Sequence, residues 1–369
     1  MDSKGKIAAI ILSAGYSSRM KDFKPLLKIG DRTALEYIVD SFYKAKVEDI
    51  IVVIGHNAEK IKDTYKGLKV KFIYNRHYSK GMYSSVVEGV KYLDKEIYSF
   101  FVLPVDIPII KYSTINEIKG AFEQSEKGII YPNFNGMRGH PPLISSDYIK
   151  KIIDNKEDGG LKNLLRNYER DAQDVKVVDQ GVLLDMDTPK DYKKLLEYYK
   201  NSQIPNDEEC RAILDKYCAS KRIIGHCEKV KDLSVELAKS LIDRGCKLNI
   251  RLIEASALLH DVERDKSRHA YRGWELLNKL GYPNVAEIIK EHMDIRVEEN
   301  GISEKEIVYL TDKMVMDNRV VSIEERFQRS LNKFKKDKQI MEMIKQRKIN
   351  AEKIKEKIHR FGEDIYENK

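Results

Sequence analysis

The feature that most constrains the fold is a change of pattern near residue 201. Before it, short runs of β-branched and aromatic residues alternate with segments of helical periodicity, and after it almost every segment has helical periodicity. Nearly continuous apolar strands separated by helical segments predict a mostly parallel sheet covered on both faces. The polar, proline-containing segment 201–207 is typical of a linker. The sequence therefore predicts an α/β domain followed by an all-α domain.

The predicted elements give the domain limits. Strands are predicted at residues 7–12, 50–54, 70–74, 100–103, 129–131 and 175–178, and helices at 34–45, 58–66, 84–93, 210–216, 227–243, 250–260, 271–280, 285–291 and 304–316. We expect domains at 1–200 and 209–330, joined by a linker at 201–208. A charged C-terminal helix at 331–369 is expected to pack on the second domain through the apolar stripe Ile340, Met343, Ile344, Ile354 and Ile358.

Length and composition exclude several classes of protein. A chain of 369 residues is long enough for two or three domains. With 42% hydrophobic residues, 20 glycines and 9 prolines, it is not disordered, collagen-like or a coiled coil. The apolar runs are far shorter than the ~18 residues of a membrane span, and residues 1–6 lack the apolar stretch of a secretory signal. We therefore expect a cytoplasmic protein with no membrane partner.

Charge and cysteine usage add two expectations. The net charge is +8, and much of the excess lies in residues 331–369, where no aromatic residues interleave with the lysines. A solvated helix face is therefore favoured over a nucleic-acid surface. The four cysteines, Cys210, Cys218, Cys227 and Cys246, form no C-x-x-C pair and indicate a reducing compartment. Inert buried thiols are favoured over a zinc site.

A phosphate-binding loop is predicted directly after the first strand. Residues 13–20 read Ser-Ala-Gly-Tyr-Ser-Ser-Arg-Met, and a Lys-Pro pair follows at Lys24. Small residues allow backbone N–H groups to close around phosphate oxygens, and Arg19 and Lys24 supply positive charge. The pattern matches neither the Rossmann fingerprint nor the P-loop. An ordinary strand-to-helix turn is the alternative.

Two aspartates are candidate metal ligands in the same domain. Asp106 follows the strand at 100–103, at the end of a sheet where open α/β folds bind ligands. Asp187 lies in an Asp-Met-Asp-Thr-Pro segment that begins at Asp185. Carboxylates that act together with substrate phosphates suit Mg²⁺. The alternatives are a strand-end turn residue for Asp106 and a helix N-terminal residue for Asp187.

Further motifs complete an ordered set. They are Asn75 followed by Gly81, Met82, Ser84 and Ser85, then Tyr131-Pro132, then Arg138-Gly139-His140-Pro141, and finally Asp158-Gly159-Gly160. With the loop and the two aspartates, they resemble the motifs of the MobA-like nucleotidyltransferases, most closely the molybdenum cofactor cytidylyltransferases. The resemblance covers about residues 6–200. It implies a Rossmann-like nucleotidyltransferase domain with a GT-A-like, mostly parallel sheet.

The resemblance also implies roles for individual residues. The nucleotide and its triphosphate would be bound by Ala14, Gly15, Ser17, Ser18, Arg19, Lys24, Asn75, Gly81, Ser84, Ser85 and Asp106. Mg²⁺ would be held by Asp106 and Asp187, and the acceptor by Arg138, Gly139, His140 and Pro141. Lys24, Arg19 and Asp106 would be catalytic. Two departures bear on base selectivity: Lys21 replaces the family's glycine, and Ser13 replaces an alanine.

The implied reaction transfers CMP from CTP to the terminal phosphate of molybdopterin and releases pyrophosphate. A phosphate monoester is largely dianionic near neutral pH, so its attack needs no general base, and alignment and charge neutralisation carry the step. The implied partners are CTP or GTP, molybdopterin or the molybdenum cofactor, and a molybdenum hydroxylase apoenzyme. The alternatives are a GTP-using enzyme, a sugar- or alcohol-phosphate acceptor, and a nucleotide-sensing regulator with one inactive domain.

The second domain carries histidines and aspartates suited to a transition metal. His226, the pair His260-Asp261, and Asp312 supply mixed nitrogen and oxygen ligands. This order resembles the H…HD…D signature of the HD-domain metal-dependent phosphohydrolases, over about residues 208–330. The resemblance implies that these residues bind a divalent transition metal (Mn, Fe, Zn, Co or Ni).

The same resemblance implies further functional properties of this domain. His269 and His292 would bind a second metal or a substrate phosphate. Metal-bound water, with a pKa lowered toward ~7, would attack phosphorus as hydroxide. Gly281-Tyr282-Pro283 does not occupy the place of the Gly-Tyr-Pro signature of cyclic-di-GMP phosphodiesterases, so the substrate is left open. The alternative is a metal-stabilised bundle with a regulatory or scaffolding role.

Overall fold

The structure, a computed structural model, describes residues 5–20, 22–156, 158–218 and 220–367, with side chains as far as Phe361. Lys21 and residues 1–4, for which the sequence made predictions, lie outside the described residues. The chain divides into two compact units, Met1–Asn201 and Ser202–Lys369. Helix α7 (Pro189–Lys200) ends the first unit, and α8 (Asp207–Tyr217) is the first helix of the second.

An eight-stranded sheet forms the centre of the first unit. Its strands are β1 (Lys6–Ser13), β2 (Asp49–Ile54), β3 (Lys71–Tyr74), β4 (Ile97–Pro104), β5 (Ile129–Phe134), β6 (Met137–Arg138), β7 (Leu143–Ser145) and β8 (Ala172–Lys176). The order is β8-β5-β7-β4-β1-β2-β3, and β6 pairs with β5. Only the pairs made by β6 and β7 are antiparallel. The predicted mostly parallel sheet is confirmed.

Helices cover both faces of this sheet. They are α1 (Ala34–Lys44), α2 (Ala58–Thr64), α3 (Met82–Lys91), α4 (Tyr112–Gln124), α5 (Ile149–Asp154), α6 (Gly160–Arg166) and α7. Side chains alternate between the faces along a strand, so Ile11 joins one buried layer with Phe42 and Phe101. Its neighbour Ile10 joins the opposite layer with Phe100. Buried apolar residues on both faces explain the nearly continuous apolar strands.

Two predicted details of this unit were wrong. The strand expected at 175–178 is Ala172–Lys176, and Val177 and Val178 are buried after it ends. The antiparallel strands β6 and β7 were not predicted, because two or three residues are too few to show a period of two.

The pairing of β1 with β4 brings the two predicted motifs of the first unit together. Leu12 near the end of β1 lies opposite Pro104 at the end of β4, and the Val105 N–H donates to the Leu12 carbonyl at 3.0 Å. The Met186 N–H donates to the Asp106 carbonyl at 2.9 Å. The loop after β1, Asp106 and the Asp185–Asp187 segment therefore meet at the carboxyl edge of the sheet, as expected for an open α/β fold.

The second unit is helical apart from a short hairpin, Val315–Met316 with Arg319–Val320. Its helices are α8, α9 (Lys221–Asp243), α10 (Ile250–Leu259), α11 (His269–Leu280), α12 (Pro283–Lys290), α13 (Glu304–Lys313), α14 (Ile323–Lys333) and α15 (Lys338–Glu367). Val230, Ile253 and Ile307 lie in one buried cluster. The predicted all-α architecture of this region is confirmed.

Helix α15 packs against α13 and α14. Ile344 and Ile354 are buried with Tyr309 and Phe327, and Ile340 and Ile358 are partly buried beside them. Met343, which the sequence placed on this stripe, is instead exposed, because it lies 100° from Ile344 around the helix. Across the described residues, no helix is both long and apolar enough to span a membrane.

Candidate functional site

The loop after β1 folds back on itself and holds Lys24. Ser17 has a left-handed backbone (φ 55°), its carbonyl accepts from the Met20 N–H at 3.1 Å, and its Oγ accepts from the Lys24 N–H at 3.2 Å. The Ala14 carbonyl accepts from the N–H of His56. Gly15 faces open space, since a Cβ there would meet nothing within 4 Å. The loop therefore leaves room for a ligand beside its backbone.

Lys24 links the two predicted metal ligands. Its Nζ lies 3.0 Å from Asp106 Oδ2 and 2.6 Å from Asp187 Oδ1, and Arg19 Nη2 lies 2.8 Å from Asp187 Oδ2. The hydrogen bond from Lys24 lowers the pKa of Asp187, against the effect of burial. Burial would lower the pKa of Lys24, but the two carboxylates outweigh it and raise that pKa. Lys24 and Asp187 are therefore both charged near neutral pH.

These carboxylates fit a magnesium ion. They converge from two different segments on one small cation, the Lys24 ammonium, which shows that the geometry stabilises positive charge at this point. Two carboxylate oxygens completed by substrate phosphates are a common magnesium environment. Asp106 and Asp187 would hold the ion, and Lys24 and Arg19 would then be available to phosphate oxygens.

Two cavities meet at Asp106. The loop cavity, of about 350 Å³, is lined by all six residues predicted to hold the triphosphate: Ala14, Gly15, Ser17, Ser18, Arg19 and Lys24. The large cavity, of about 600 Å³, has a mostly apolar and aromatic lining that includes Tyr83, Tyr131 and Leu161. Asp106 lines both cavities, and Asp187 lines the loop cavity.

Most of the predicted acceptor residues line the large cavity. Arg138, Gly139 and His140 lie on its wall, whereas Pro141 does not line it. The His140 N–H donates to the Val182 carbonyl at 2.9 Å. Burial lowers the pKa of His140, against the attraction of Asp106, and its Nδ1 has no hydrogen-bond partner among the described residues. A neutral imidazole therefore lines the large cavity, with a buried and unpaired Nδ1.

Arg138 is fully engaged by other side chains. Its Nη1 lies 2.9 Å from Glu169 Oε2, its Nε lies 2.6 Å from Asp174 Oδ1, and its guanidinium stacks 4.4 Å from the Tyr131 ring centroid. The hydrogen bonds to Glu169 raise its pKa further. An anionic acceptor would have to compete with two carboxylates for this side chain.

The Asn75 motif supports the loop cavity and lines it only in part. Gly81 and Ser85 line the loop cavity, and Asn75 and Ser84 are absent from its described lining. Asn75 is buried and donates through Nδ2 to Ser84 Oγ at 2.8 Å and Ser85 Oγ at 3.0 Å. It therefore fixes the first turn of α3, where Gly81 and Ser85 face the cavity.

Asp185 and Tyr16 were not singled out from the sequence. Asp185 lines the large cavity, and its pKa is raised by burial and by the neighbouring charges of Asp187 and Asp106. In the sequence, Asp185 could have been recognised by its position two residues before Asp187, a predicted metal ligand. Tyr16 lines the loop cavity, and its ring lies 5.4 Å from that of Tyr78.

The second unit gathers the H…HD…D residues at one point. His226 comes from α9, His260 and Asp261 follow α10, and Asp312 lies on α13. His226 Nε2 lies 3.1 Å from Asp312 Oδ1. His260 Nε2 lies 3.6 Å from both Asp261 Oδ2 and Asp312 Oδ1. His226, His260 and Asp261 offer ligand atoms close enough for one metal ion.

Backbone carbonyls orient the imidazole rings. His226 Nδ1 pairs with the Asp317 carbonyl at 3.1 Å, His260 Nδ1 with the Ala257 carbonyl at 2.8 Å, and His292 Nδ1 with the Ile289 carbonyl at 2.6 Å. Because a carbonyl only accepts, each Nδ1 is the protonated donor, and Nε2 is directed to the site.

His260 supplies the test of whether a metal fits. Its Nε2 is buried and has no hydrogen-bond partner among the described residues, although two carboxylates lie nearby. Burial lowers the pKa of His260, but Asp261 opposes it and the pKa is raised overall. A metal ion that binds His260 Nε2 would displace the proton from this nitrogen. A buried nitrogen facing two carboxylates is what a divalent transition metal requires.

A second ligand group adjoins the first. Asp261 Oδ1 lies 3.3 Å from His269 Nε2 and 3.4 Å from His292 Nε2, and these three residues could hold one ion. Burial raises the pKa of Asp261, but His260 and the other two histidines bring it well below the usual range. Asp261 is thus an ionised carboxylate common to both groups. Neither group, among the described residues, contains a cysteine.

Two family models match the chain. The model described as MobA-like NTP transferase domain matches residues 9–173, and the model described as HD domain matches residues 223–317. The chain is a MobA-like NTP transferase domain joined to an HD domain. Residues 9–173 are therefore assigned to a nucleotidyltransferase domain, and residues 223–317 to an HD domain.

The chain is also similar to curated proteins over less than half of its length. The bifunctional protein GlmU of Francisella tularensis subsp. novicida (strain U112) is 23% identical over 164 residues, which are 43% of this chain. The aligned region spans 35% of the length of GlmU.

Solved structures similar to the chain also cover about half of it. Rv0371c from Mycobacterium tuberculosis H37Rv has 22% identity and a TM-score of 0.48, covering 53% of this chain and 100% of that chain. A nucleotidyl transferase from Methanothermobacter (Mth528) has 20% identity and a TM-score of 0.48, covering 53% and 99%.

Proposed function

We propose that the first domain transfers CMP from CTP to the terminal phosphate of molybdopterin, releasing pyrophosphate. The observation that carries the proposal is the meeting of two cavities at Asp106. One is lined by the small-residue loop with Arg19 and Lys24, and the other by aromatic and apolar side chains. This arrangement suits a nucleoside triphosphate on one side of a metal-binding carboxylate and a flat heterocyclic phosphate on the other.

The chain's own residues perform most of the work in this reaction. The loop backbone and Arg19 hold the triphosphate, and Lys24 neutralises charge on the departing pyrophosphate. Asp106 lies at the junction of the cavities, where the acceptor phosphate and the α-phosphate would meet. Magnesium held by Asp106 and Asp187 would supply further charge neutralisation between the two phosphates.

The large cavity suits a pterin-like acceptor. Tyr83, Tyr131 and Leu161 provide apolar surface for a flat ring system. The neutral imidazole of His140 lies on the same wall and adds a polar group beside this surface. Arg138 lies on the same wall and would have to leave Glu169 or Asp174 to contact an anionic acceptor.

The test is pyrophosphate release with Mg²⁺ and molybdenum-loaded molybdopterin, comparing CTP, GTP, ATP and UTP. We expect release that is selective for CTP and is lost in Asp106→Asn. The matched control is Asp94→Asn, which removes an exposed carboxylate paired with Lys71 and should leave the rate unchanged. Selectivity for GTP would identify GTP instead of CTP as the donor nucleotide. Absence of pyrophosphate release with all four nucleotides would refute the transferase assignment for this acceptor.

We also propose that the HD domain is a metal-dependent phosphohydrolase. The observation that carries this is the buried, unpaired Nε2 of His260 facing Asp261 and Asp312. A metal-activated water at this point would attack phosphorus. The adjoining His269 and His292 would bind a second ion or the substrate phosphate.

Metal content and turnover test this second proposal separately. Purified protein should retain a divalent transition metal that His260→Ala with Asp261→Ala removes. The matched control, His359→Ala with Asp232→Ala, changes the same residue types at exposed positions and should retain the metal. Hydrolysis of bis(p-nitrophenyl) phosphate or of nucleotides should be lost with the metal. Metal without any turnover would favour a regulatory role.

A further inference from the structure

Lys313 is a buried cation in the HD domain to which the proposed function gives no role. It is the last residue of α13 and follows Asp312 directly. Its side chain is only 7% exposed. Its Nζ lies 2.6 Å from Asp312 Oδ2 and 3.0 Å from the carbonyl of His292, and 4.8 Å from the Tyr309 ring centroid. A lysine is rarely buried without a specific partner, and here that partner is Asp312, a carboxylate predicted to bind the metal.

The two aspartates of this site differ in how their oxygens are used. Asp261 directs Oδ2 toward His260 and Oδ1 toward His269 and His292, so both oxygens face histidine nitrogens, although Oδ1 also lies 3.3 Å from the exposed side chain of Arg264. Asp312 directs only Oδ1 toward the histidines, at 3.1 Å from His226 and 3.6 Å from His260. Its Oδ2 is occupied by Lys313. The lysine thus accounts for the difference between the two carboxylates.

We propose that Lys313 is a positioning residue that restricts Asp312 to metal ligation through one oxygen and so determines which divalent ions the site accepts. The inference rests on the proposed metal site of the HD domain. Large, hard ions such as Ca²⁺ favour many oxygen ligands and two-oxygen carboxylates. A carboxylate limited to one oxygen, together with imidazoles, favours transition metals.

The charge of Lys313 acts in the same direction. An ammonium beside a ligand carboxylate cancels part of the attraction for any dication, and in a buried site this effect is large. For a transition metal, coordination by imidazole nitrogens offsets this weaker attraction. A hard ion binds mainly through charged oxygen ligands and has no such offset. Replacing Lys313 by a neutral residue would have two effects. It would free Asp312 Oδ2, and it would make the net charge of the site more negative by removing a cation.

The experiment measures binding of Mn²⁺ alone to the full chain, by the EPR signal of the free ion, after removal of bound metal with a chelator. All proteins carry Asp106→Asn and Asp187→Asn, so that the transferase domain does not contribute. We expect Lys313→Met to bind Mn²⁺ at least about tenfold more tightly than the parent, and Ca²⁺ to displace Mn²⁺ at lower concentrations. Lys313→Arg keeps the positive charge and should bind Mn²⁺ no more tightly than the parent.

The direction of the effect separates this role from a merely structural one. Damage to the fold would weaken metal binding, so equal or weaker binding in a folded Lys313→Met protein overturns the inference. Lys313→Gln is a second neutral variant if the methionine variant does not fold. Lys305→Met is the matched control, since Lys305 pairs with Glu291 and Glu298 instead. An equal gain in that variant would also overturn the inference.

A different result would refute the proposed function itself. If the parent binds no Mn²⁺ that His260→Ala with Asp261→Ala removes, the HD metal site does not exist and the role of Lys313 fails with it. If the parent binds such an ion and only the lysine variants disagree with expectation, the metal site stands and the inference alone is refuted.

Discussion

Replacing Gly139 by alanine should damage acceptor binding while leaving nucleotide binding intact. A Cβ at residue 139 would lie 2.5 Å from the Val182 carbonyl oxygen and 2.6 Å from Val182 Cγ2, closer than real Cβ contacts. Residue 139 and Val182 must therefore separate by about half an ångström or more, and overpacking of this kind costs about 1–3 kcal/mol.

This displacement would also move the part of the large cavity where the predicted acceptor residues lie. The His140 N–H donates to the same Val182 carbonyl at 2.9 Å, so moving Val182 moves the imidazole that faces the large cavity. Misplacement on this scale lowers kcat/KM by about 10- to 100-fold. Gly139 does not line the loop cavity in the described chain, so the affinity for CTP should stay within about twofold.

Pyrophosphate release gives kcat/KM for the acceptor when the acceptor is varied at saturating CTP. It gives kcat/KM for CTP when CTP is varied at saturating acceptor. Calorimetry of CTP binding provides a readout that needs no acceptor. Gly120→Ala is the control, because a Cβ on this α4 residue meets nothing within 4 Å and alanine favours the helix. A parallel loss of CTP affinity in Gly139→Ala, or unchanged acceptor kinetics, would refute the assignment of separate donor and acceptor cavities.

Three further predictions concern single residues of the first domain. Lys24→Met should lower the rate of transfer by about 100-fold or more, because a preorganised cation is lost from the triphosphate, as single-turnover pyrophosphate release would show. The hydrogen bond from the Thr33 N–H lowers the pKa of Glu36, against the effect of burial. Glu36→Ala should therefore lower the free energy of unfolding by its full amount above pH ~4.3, and by less as the pH falls below that value. Thermal unfolding of both proteins across this pH range would measure the difference. Asp179→Ala should lower the free energy of unfolding by about 3–5 kcal/mol, measured with urea, because this buried carboxylate accepts from Lys111, Thr114 and Gly181.

The sequence predicted the fold well where its patterns were long. The strands of β1, β2 and β4 have apolar runs that continue on both faces, and the structure buries them on both faces. It failed at β7, because a strand of three residues carries no periodicity of its own and exists through its pairing with β4 and β5. It also placed the exposed Met343 on the buried stripe, because a residue three positions after Ile340 fits helical spacing but lies at the edge of that stripe.

Residue types and order determined by themselves that this chain has two domains and two candidate sites for phosphate chemistry. A glycine-containing loop after a strand, aspartates at strand ends and a His-Asp pair are local patterns, and their chemistry can be inferred from the letters alone. Only the tertiary structure decided which side chains meet. It brought Lys24 between Asp106 and Asp187, engaged Arg138 with Glu169, and set Lys313 against Asp312 and His292. Those contacts depend on distances between segments far apart in the chain, and such distances arise only when strands pair and helices pack.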